Sequence, residues 1–215
     1  MNTFSCIVFD IDGTLVSTNE LIFASFNHVT KKYLNKTLSP GEIIALFGPP
    51  EDVILVEWFG DRAEKVKNDY YEFYTANHKK MTQEIDGIKD ILEFIRSKSV
   101  PMAVFTGKGR RTSVITLEQI GLLNYFDLLV TGDDVKTHKP SPDGLLKIIN
   151  HFNVDPGKVI LVGDAPSDIK AAKSAGIKSA TVLWDCYAVE KVYALKSDYY
   201  FSTVNELKEF LSGNI

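Results

Sequence analysis

Hydrophobic residues fall along this chain in two rhythms. Cys6, Ile7, Val8 and Phe9 form an uninterrupted apolar run, the pattern of a strand buried on both faces of a parallel sheet, and the run stops at two closely spaced acids, Asp10 and Asp12. Between Leu15 and about Met81 the rhythm is helical and no convincing strand appears. Ile22, Phe26, Val29 and Tyr33 recur at spacings of four, three and four, which predicts a helix from about Thr18 to Leu34. Ser39-Pro40 reads as a cap followed by a helix-starting proline, and Gly48-Pro49-Pro50 ends that short helix at Phe47. Two more helices are expected near Glu51 to Phe59 and Arg62 to Lys80.

From Asp86 onward, helices alternate with short apolar strands, the signature of a parallel sheet. Ile88, Ile91, Leu92 and Ile95 mark a helix capped by Asp86; the strands that follow are Met102 to Thr106, Leu128 to Thr131, Val159 to Gly163 and Lys178 to Leu183. Helices are expected at Arg110 to Gln119, Asp143 to His151 and Ser167 to Ala175. The tail adds a short helix near Ala188 to Leu195, an edge strand at Tyr199 to Phe201 and a helix from Val204 to Leu211. The expected fold class is therefore α/β: a Rossmann-like parallel-sheet core from residues 1–16 and 82–215, with a small four-helix cap, residues 17–81, inserted after the first strand.

Composition narrows the class of function. A net charge of −4 with scattered lysines gives no basic footprint, so nucleic acid is not an expected partner. No charged-then-apolar leader opens the sequence, and no apolar run approaches the ~18 residues of a spanning helix, so no membrane partner is expected and a cytoplasmic enzyme is the natural reading. Cys6 and Cys186 are far apart and read as two reduced thiols. A monomer and a homodimer are equally compatible with the sequence.

The chemistry gathers where predicted strands end, which is where open α/β sheets bind ligands. Asp10 and Asp12 end the first strand, with Gly13 allowing a tight turn. Asp-Gly is also an ordinary turn signal, so alone this proves little. Thr106 and Gly107 end the second strand, where a hydroxyl beside free N–H groups suits an anion, although a threonine closing a strand is common. Lys139 follows the third strand in a proline-stiffened loop, where an isolated lysine is normally solvated. The fourth strand ends at Asp164, and Asp168 opens the next helix, where the dipole alone would favour an acid. Adjacent strands delivering Asp10 and Asp164 to one edge bring like charges together, which calls for a cation; oxygen ligands with open positions suit Mg²⁺.

Asp-Ile-Asp-Gly-Thr-Leu at residues 10–15, Thr106, Lys139, and Gly-Asp-x-x-x-Asp ending at Asp168, in that order, resemble the motifs of the haloacid dehalogenase-like phosphohydrolases. The insert placed after the first motif is similar to the helical cap of the phosphoglycolate phosphatase and β-phosphoglucomutase branch, and residues 18–22 resemble bacterial pyrophosphatases of that branch. This resemblance implies that Asp10 is a nucleophile forming an aspartyl-phosphate and that Asp12 is the acid and base, with its backbone carbonyl on the metal. It implies that Thr106 and Gly107 bind the phosphoryl group, and that Lys139 neutralises charge on it and on Asp10. Asp164 would ligate Mg²⁺, and Asp168 would do so directly, through water, or by orienting Lys139. Asp12 argues against haloalkanoate dehalogenation, because the resembling dehalogenases lack an acid there. Two departures stand out: Gly107 where many relatives have asparagine, and Ala165 where many have serine or threonine.

The expected activity is Mg²⁺-dependent hydrolysis of a small phosphorylated metabolite such as phosphoglycolate. Inorganic pyrophosphatase and, from another class, β-phosphoglucomutase are the alternatives. Asn19 and Glu20, near the entry to the insert, and the Phe47-Gly48-Pro49-Pro50 turn are the cap residues placed to meet substrate.

Overall fold

The computed structural model describes residues 3–215. The first strand, β1 (Cys6–Phe9), leads through β2 (Val16–Ser17) into four helices: α1 (Asn19–Leu34), α2 (Pro40–Ile44), α3 (Glu51–Phe59) and α4 (Ala63–Met81). The chain then returns through β3 (Gln83–Glu84) and alternates α5 (Ile88–Ser97), β4 (Met102–Phe105), α6 (Arg110–Gln119), β5 (Leu128–Val130), α7 (Asp143–Phe152), β6 (Val159–Gly163) and α8 (Pro166–Ala175). It ends with β7 (Lys178–Val182), α9 (Val189–Leu195), β8 (Tyr199–Phe201) and α10 (Val204–Ser212).

Six strands form one sheet in the order β5-β4-β1-β6-β7-β8, and every pairing is parallel. Alternation along β1 explains why both faces are covered. Ile7 and Phe9 join one apolar cluster with Ile88, Ile91, Leu92 and Ile95 of α5 and Leu207 and Leu211 of α10. Cys6 and Val8 join the other, with Leu145, Ile148 and Ile149 of α7 and Ala171, Ala172 and Ala175 of α8. From β1 the chain moves outward to β4 and β5, then crosses back to β6 and moves the other way. The crevice at the β1/β6 carboxyl ends is thus the topological switch point, where such sheets bind ligands.

The helices between β2 and β3 build a separate apolar cluster around Leu21, Phe26, Val29, Leu55, Tyr70 and Tyr74. Their neck is an antiparallel ribbon pairing Val16 with Glu84 and Ser17 with Gln83. That ribbon corrects the expectation of a strand-free stretch after Leu15; two-residue strands are too short to show an alternation. α2 also stops at Ile44, short of the expected Phe47, because Leu46 and Phe47 donate to Ile43 and Ile44 and wind the last residues into a tighter turn. Asp86 does not cap α5: Gly87 holds that position with φ 86° and no side-chain cap bond. Both cysteines are free, and no helix is long and apolar enough to cross a membrane among the described residues.

Candidate active site

Parallel pairing of β1 with β6 brings their carboxyl ends side by side, and the Asp10 amide continues the ladder by donating to Val162 O at 2.9 Å. The Asp10 side chain is buried, and its Oδ1 accepts from the amide of Ile11 at 2.8 Å. Asp164, one residue past β6, is buried beside it and accepts from Thr14 Oγ1 at 3.4 Å. Gly13 makes this approach possible: its φ is 75°, and a Cβ there would fall 2.5 Å from Asp164 Oδ2.

Lys139 reaches into this cluster. Its Nζ lies 3.1 Å from Asp10 Oδ2 and 2.6 Å from Asp168 Oδ1, while Asp168 Oδ2 accepts from the Ala165 amide at 3.0 Å. Burial opposes the lysine's charge, but the two carboxylates outweigh it and hold its pKa above the ordinary value. Burial raises Asp10 to about 6 despite Lys139, and burial with the charges of Asp168 and Asp10 pushes Asp164 well above the usual carboxylate range.

Asp10, Asp164 and Asp168 each place an oxygen within 4.8 Å of the others. Three carboxylates face one ammonium, so two negative charges are left over in a buried site, which is the complement of a divalent cation with oxygen preference. The Asp12 side chain is outside this group and turns to the seam with the helical insert. There its Oδ1 accepts from Thr18 Oγ1 at 2.5 Å and from Lys108 Nζ at 3.1 Å.

Above the acids lies a cavity of about 640 Å³ between sheet and insert. Asp10, Asp12, Thr106, Gly107, Lys139 and Asp164 line its floor; Asp168 lies behind them. Phe26, Phe47, Gly48, Pro49 and Tyr70 come down from the insert, and the Phe47 and Tyr187 rings meet edge-on at 6.3 Å across the opening. Asn19 and Glu20 are not among the lining residues. They open α1 beside the neck, Glu20 exposed, and the helix turns Ile22 and Phe26 to the cavity instead.

Two polar residues of this region escape sequence reasoning. Lys108 is a loop lysine by sequence, yet its side chain is 5 % exposed and its Nζ sits 4.9 Å from the centre of the Tyr74 ring. Glu51 looks like a first-turn acid favoured by a helix dipole, yet it is buried against the core. The one available signal was position: Lys108 two residues past Thr106, and Glu51 directly after the Pro-Pro turn.

A family model of haloacid dehalogenase-like hydrolases matches residues 7–182. The chain belongs to this family. The match runs from Ile7 within β1 to the end of β7 and takes in Asp10, Asp12, Thr106, Lys139, Asp164 and Asp168. A relative named pyrophosphatase PpaX, from Bacillus pumilus, is 30% identical over 210 residues, covering 96% of this chain and 95% of that protein. Among solved structures, one described as a predicted phosphoglycolate phosphatase from Haemophilus somnus superposes with a TM-score of 0.85 at 24% identity, covering 98% of this chain and 99% of that one. CbbY from Rhodobacter sphaeroides, solved in complex with phosphate, superposes with a TM-score of 0.82 at 20% identity, covering 95% and 96%. At these identities both structures speak to the fold, an α/β haloacid dehalogenase-like one.

Proposed function

We propose that this haloacid dehalogenase-like hydrolase is a Mg²⁺-dependent phosphatase that transfers the phosphoryl group of a compact metabolite, phosphoglycolate-like in size and charge, to Asp10 and then to water. The observation that carries the reading is the bridge of Lys139 between Asp10 and Asp168 on the floor of the cavity. In this scheme Asp10 attacks phosphorus through one carboxylate oxygen. Lys139 keeps that oxygen oriented and offsets charge on the incoming phosphate. Thr106 and the backbone of Gly107 receive the phosphoryl oxygens. Asp12 donates a proton to the leaving oxygen and later takes one from the water that cleaves the aspartyl-phosphate.

Asp10, Asp164 and Asp168, with the backbone carbonyl of Asp12, are the groups that would hold Mg²⁺, which supplies further charge neutralisation for the phosphoryl group. Residues 17–81 act as a cap over the core of residues 1–16 and 82–215, excluding bulk water when closed. None of the cavity residues contributed by this cap is a lysine or arginine, which favours transfer to water from a small substrate over sugar phosphate isomerisation. Pyrophosphate hydrolysis is the second reading, favoured by the PpaX relative, and pyrophosphate is equally compact.

A panel of phosphate esters and pyrophosphate, assayed with purified protein and Mg²⁺, tests the proposal. Phosphate release should be strongest from phosphoglycolate or pyrophosphate, weaker from hexose phosphates, and absent in excess chelator. Interconversion of glucose 1-phosphate and glucose 6-phosphate, or full activity in chelator, would overturn it.

A further inference from the structure

Glu51 is a carboxylate for which the phosphoryl-transfer scheme has no use, yet it is only 7 % exposed. It opens α3 directly after the turn that forms the cavity roof, and it reaches out of the insert into the core. Its Oε2 accepts from the backbone amide of Gly109 at 2.9 Å, and its Oε1 from Thr112 Oγ1 at 2.5 Å. Both donors belong to the start of α6, whose cap residue, Gly109, has no side chain to satisfy the helix terminus. In a capping box, a glutamate three residues into a helix bonds the cap residue's amide. Here a glutamate from a different part of the chain does so.

The seam is shaped for this contact. A Cβ at Gly109 would lie 2.7 Å from Glu51 Oε1, and one at Gly107 would lie 3.2 Å from the carbonyl of Gly48. The absence of an asparagine side chain at 107 therefore lets the two turns approach closely. Farther along α6, Tyr74 of the insert hydrogen-bonds Thr116 at 2.8 Å, so the insert grips this helix at two places. Lys108 sits between the phosphate-facing Thr106 and the capped Gly109. Its ammonium extends to both Asp12 oxygens, at 3.1 and 3.3 Å, and its charge offsets part of the burial that raises the Glu51 pKa.

We propose that Glu51 is a positioning residue that senses closure of the cap. By capping α6 across the seam it fixes the turn from Thr106 to Gly109, and through Lys108 it holds Asp12 for its proton transfers. When the cap swings away, the donors on Gly109 and Thr112 return to water and the turn loses its outer anchor. The proposal rests on the reading of residues 17–81 as a mobile cap and of Asp12 as acid and base.

The test compares Glu51→Ala and Glu51→Gln in the full chain. Glu51→Ala should lower kcat/KM for phosphoglycolate or pyrophosphate about 10- to 100-fold, the range a charged hydrogen bond spans. Glu51→Gln should recover much of that loss, because its carbonyl can accept from Gly109 while its amide donates to the Thr112 hydroxyl. Amide hydrogen exchange of the free protein should accelerate in Glu51→Ala at residues 107–113 and stay unchanged in β4 and α5. That measurement needs no turnover, so it decides the role of Glu51 even if neither substrate is hydrolysed. Unchanged exchange at residues 107–113 would overturn the proposal. So would a uniform acceleration throughout the chain, which would make Glu51 a general stabiliser only.

Discussion

If the three acids hold Mg²⁺ as proposed, withholding it should destabilise the protein strongly at neutral pH and hardly at all near pH 4. Burial raises Asp10 to about 6 from an ordinary 3.8, so between those values the unfolded chain gives up a proton that the folded chain keeps. Stability is therefore lost as pH rises through that window, by about 3 kcal/mol for a shift of about two units at ~1.36 kcal/mol each. Asp164, displaced the same way by burial first and its acidic neighbours second, adds in the same direction. A cation between the acids favours their ionised forms and removes the penalty. For a chain of this length, ~1 kcal/mol corresponds to about 2–4 °C in Tm, so Mg²⁺ should raise Tm by roughly 6–12 °C over chelator at pH 7. His78 runs the other way: burial lowers its pKa to about 4, and the stability of the neutral buried ring is lost as pH falls from 6.5 toward 4. The raw pH curve is consequently flattened, whereas the difference between Mg²⁺ and chelator at each pH isolates the acids. Calorimetry or dye-monitored melting from pH 4 to 8 measures it, with Asp10→Asn expected to shrink the gap. An equal Mg²⁺ gap at pH 4.5 and 7.5, or no gap at 7.5, would show that the ionisation of Asp10 and Asp164 is not coupled to the cation.

Asp10→Asn should abolish turnover and leave circular dichroism unchanged; wild-type rates in this variant would remove Asp10 from the mechanism. Lys139→Met leaves two buried carboxylates without their counter-ion, and should cost about 3–5 kcal/mol in the cation-free protein by urea titration, with Mg²⁺ restoring part of it. Phe47→Ala removes a ring that meets Tyr187 over the opening, and should change the ranking of phosphate substrates while acetyl phosphate still phosphorylates Asp10. Ca²⁺ should inhibit in competition with Mg²⁺, because its looser, higher-coordinate shell does not match an octahedral site; activation by Ca²⁺ would argue against the metal assignment.

What the sequence reveals and what it conceals follow from the range over which each signal acts. The run from Cys6 to Phe9 announces a doubly covered strand because both faces of β1 are apolar, and the period of Ile22, Phe26 and Val29 announces α1 because one stripe of it packs. Such patterns are local, and the parallel sheet follows from them with little ambiguity. The acids at 10, 164 and 168 are legible for a related reason: each sits at the end of a readable strand or the start of a readable helix, and the sheet does the rest. Asn19 and Glu20 were chosen by proximity along the chain, whereas helical phase decides which residues of α1 face the cavity, and Ile22 and Phe26 are the ones that line it. Lys108 and Glu51 carry no local mark at all. A lysine in a glycine-flanked loop and an acid in a helix's first turn are both at home in water, and only the packing of the insert on the turn at 107–109 buries them, Glu51 against Gly109 and Lys108 against Tyr74. Neither can be exposed in this arrangement without separating insert from core, so the residues hardest to read from sequence are those whose environment depends on how the insert packs against the core.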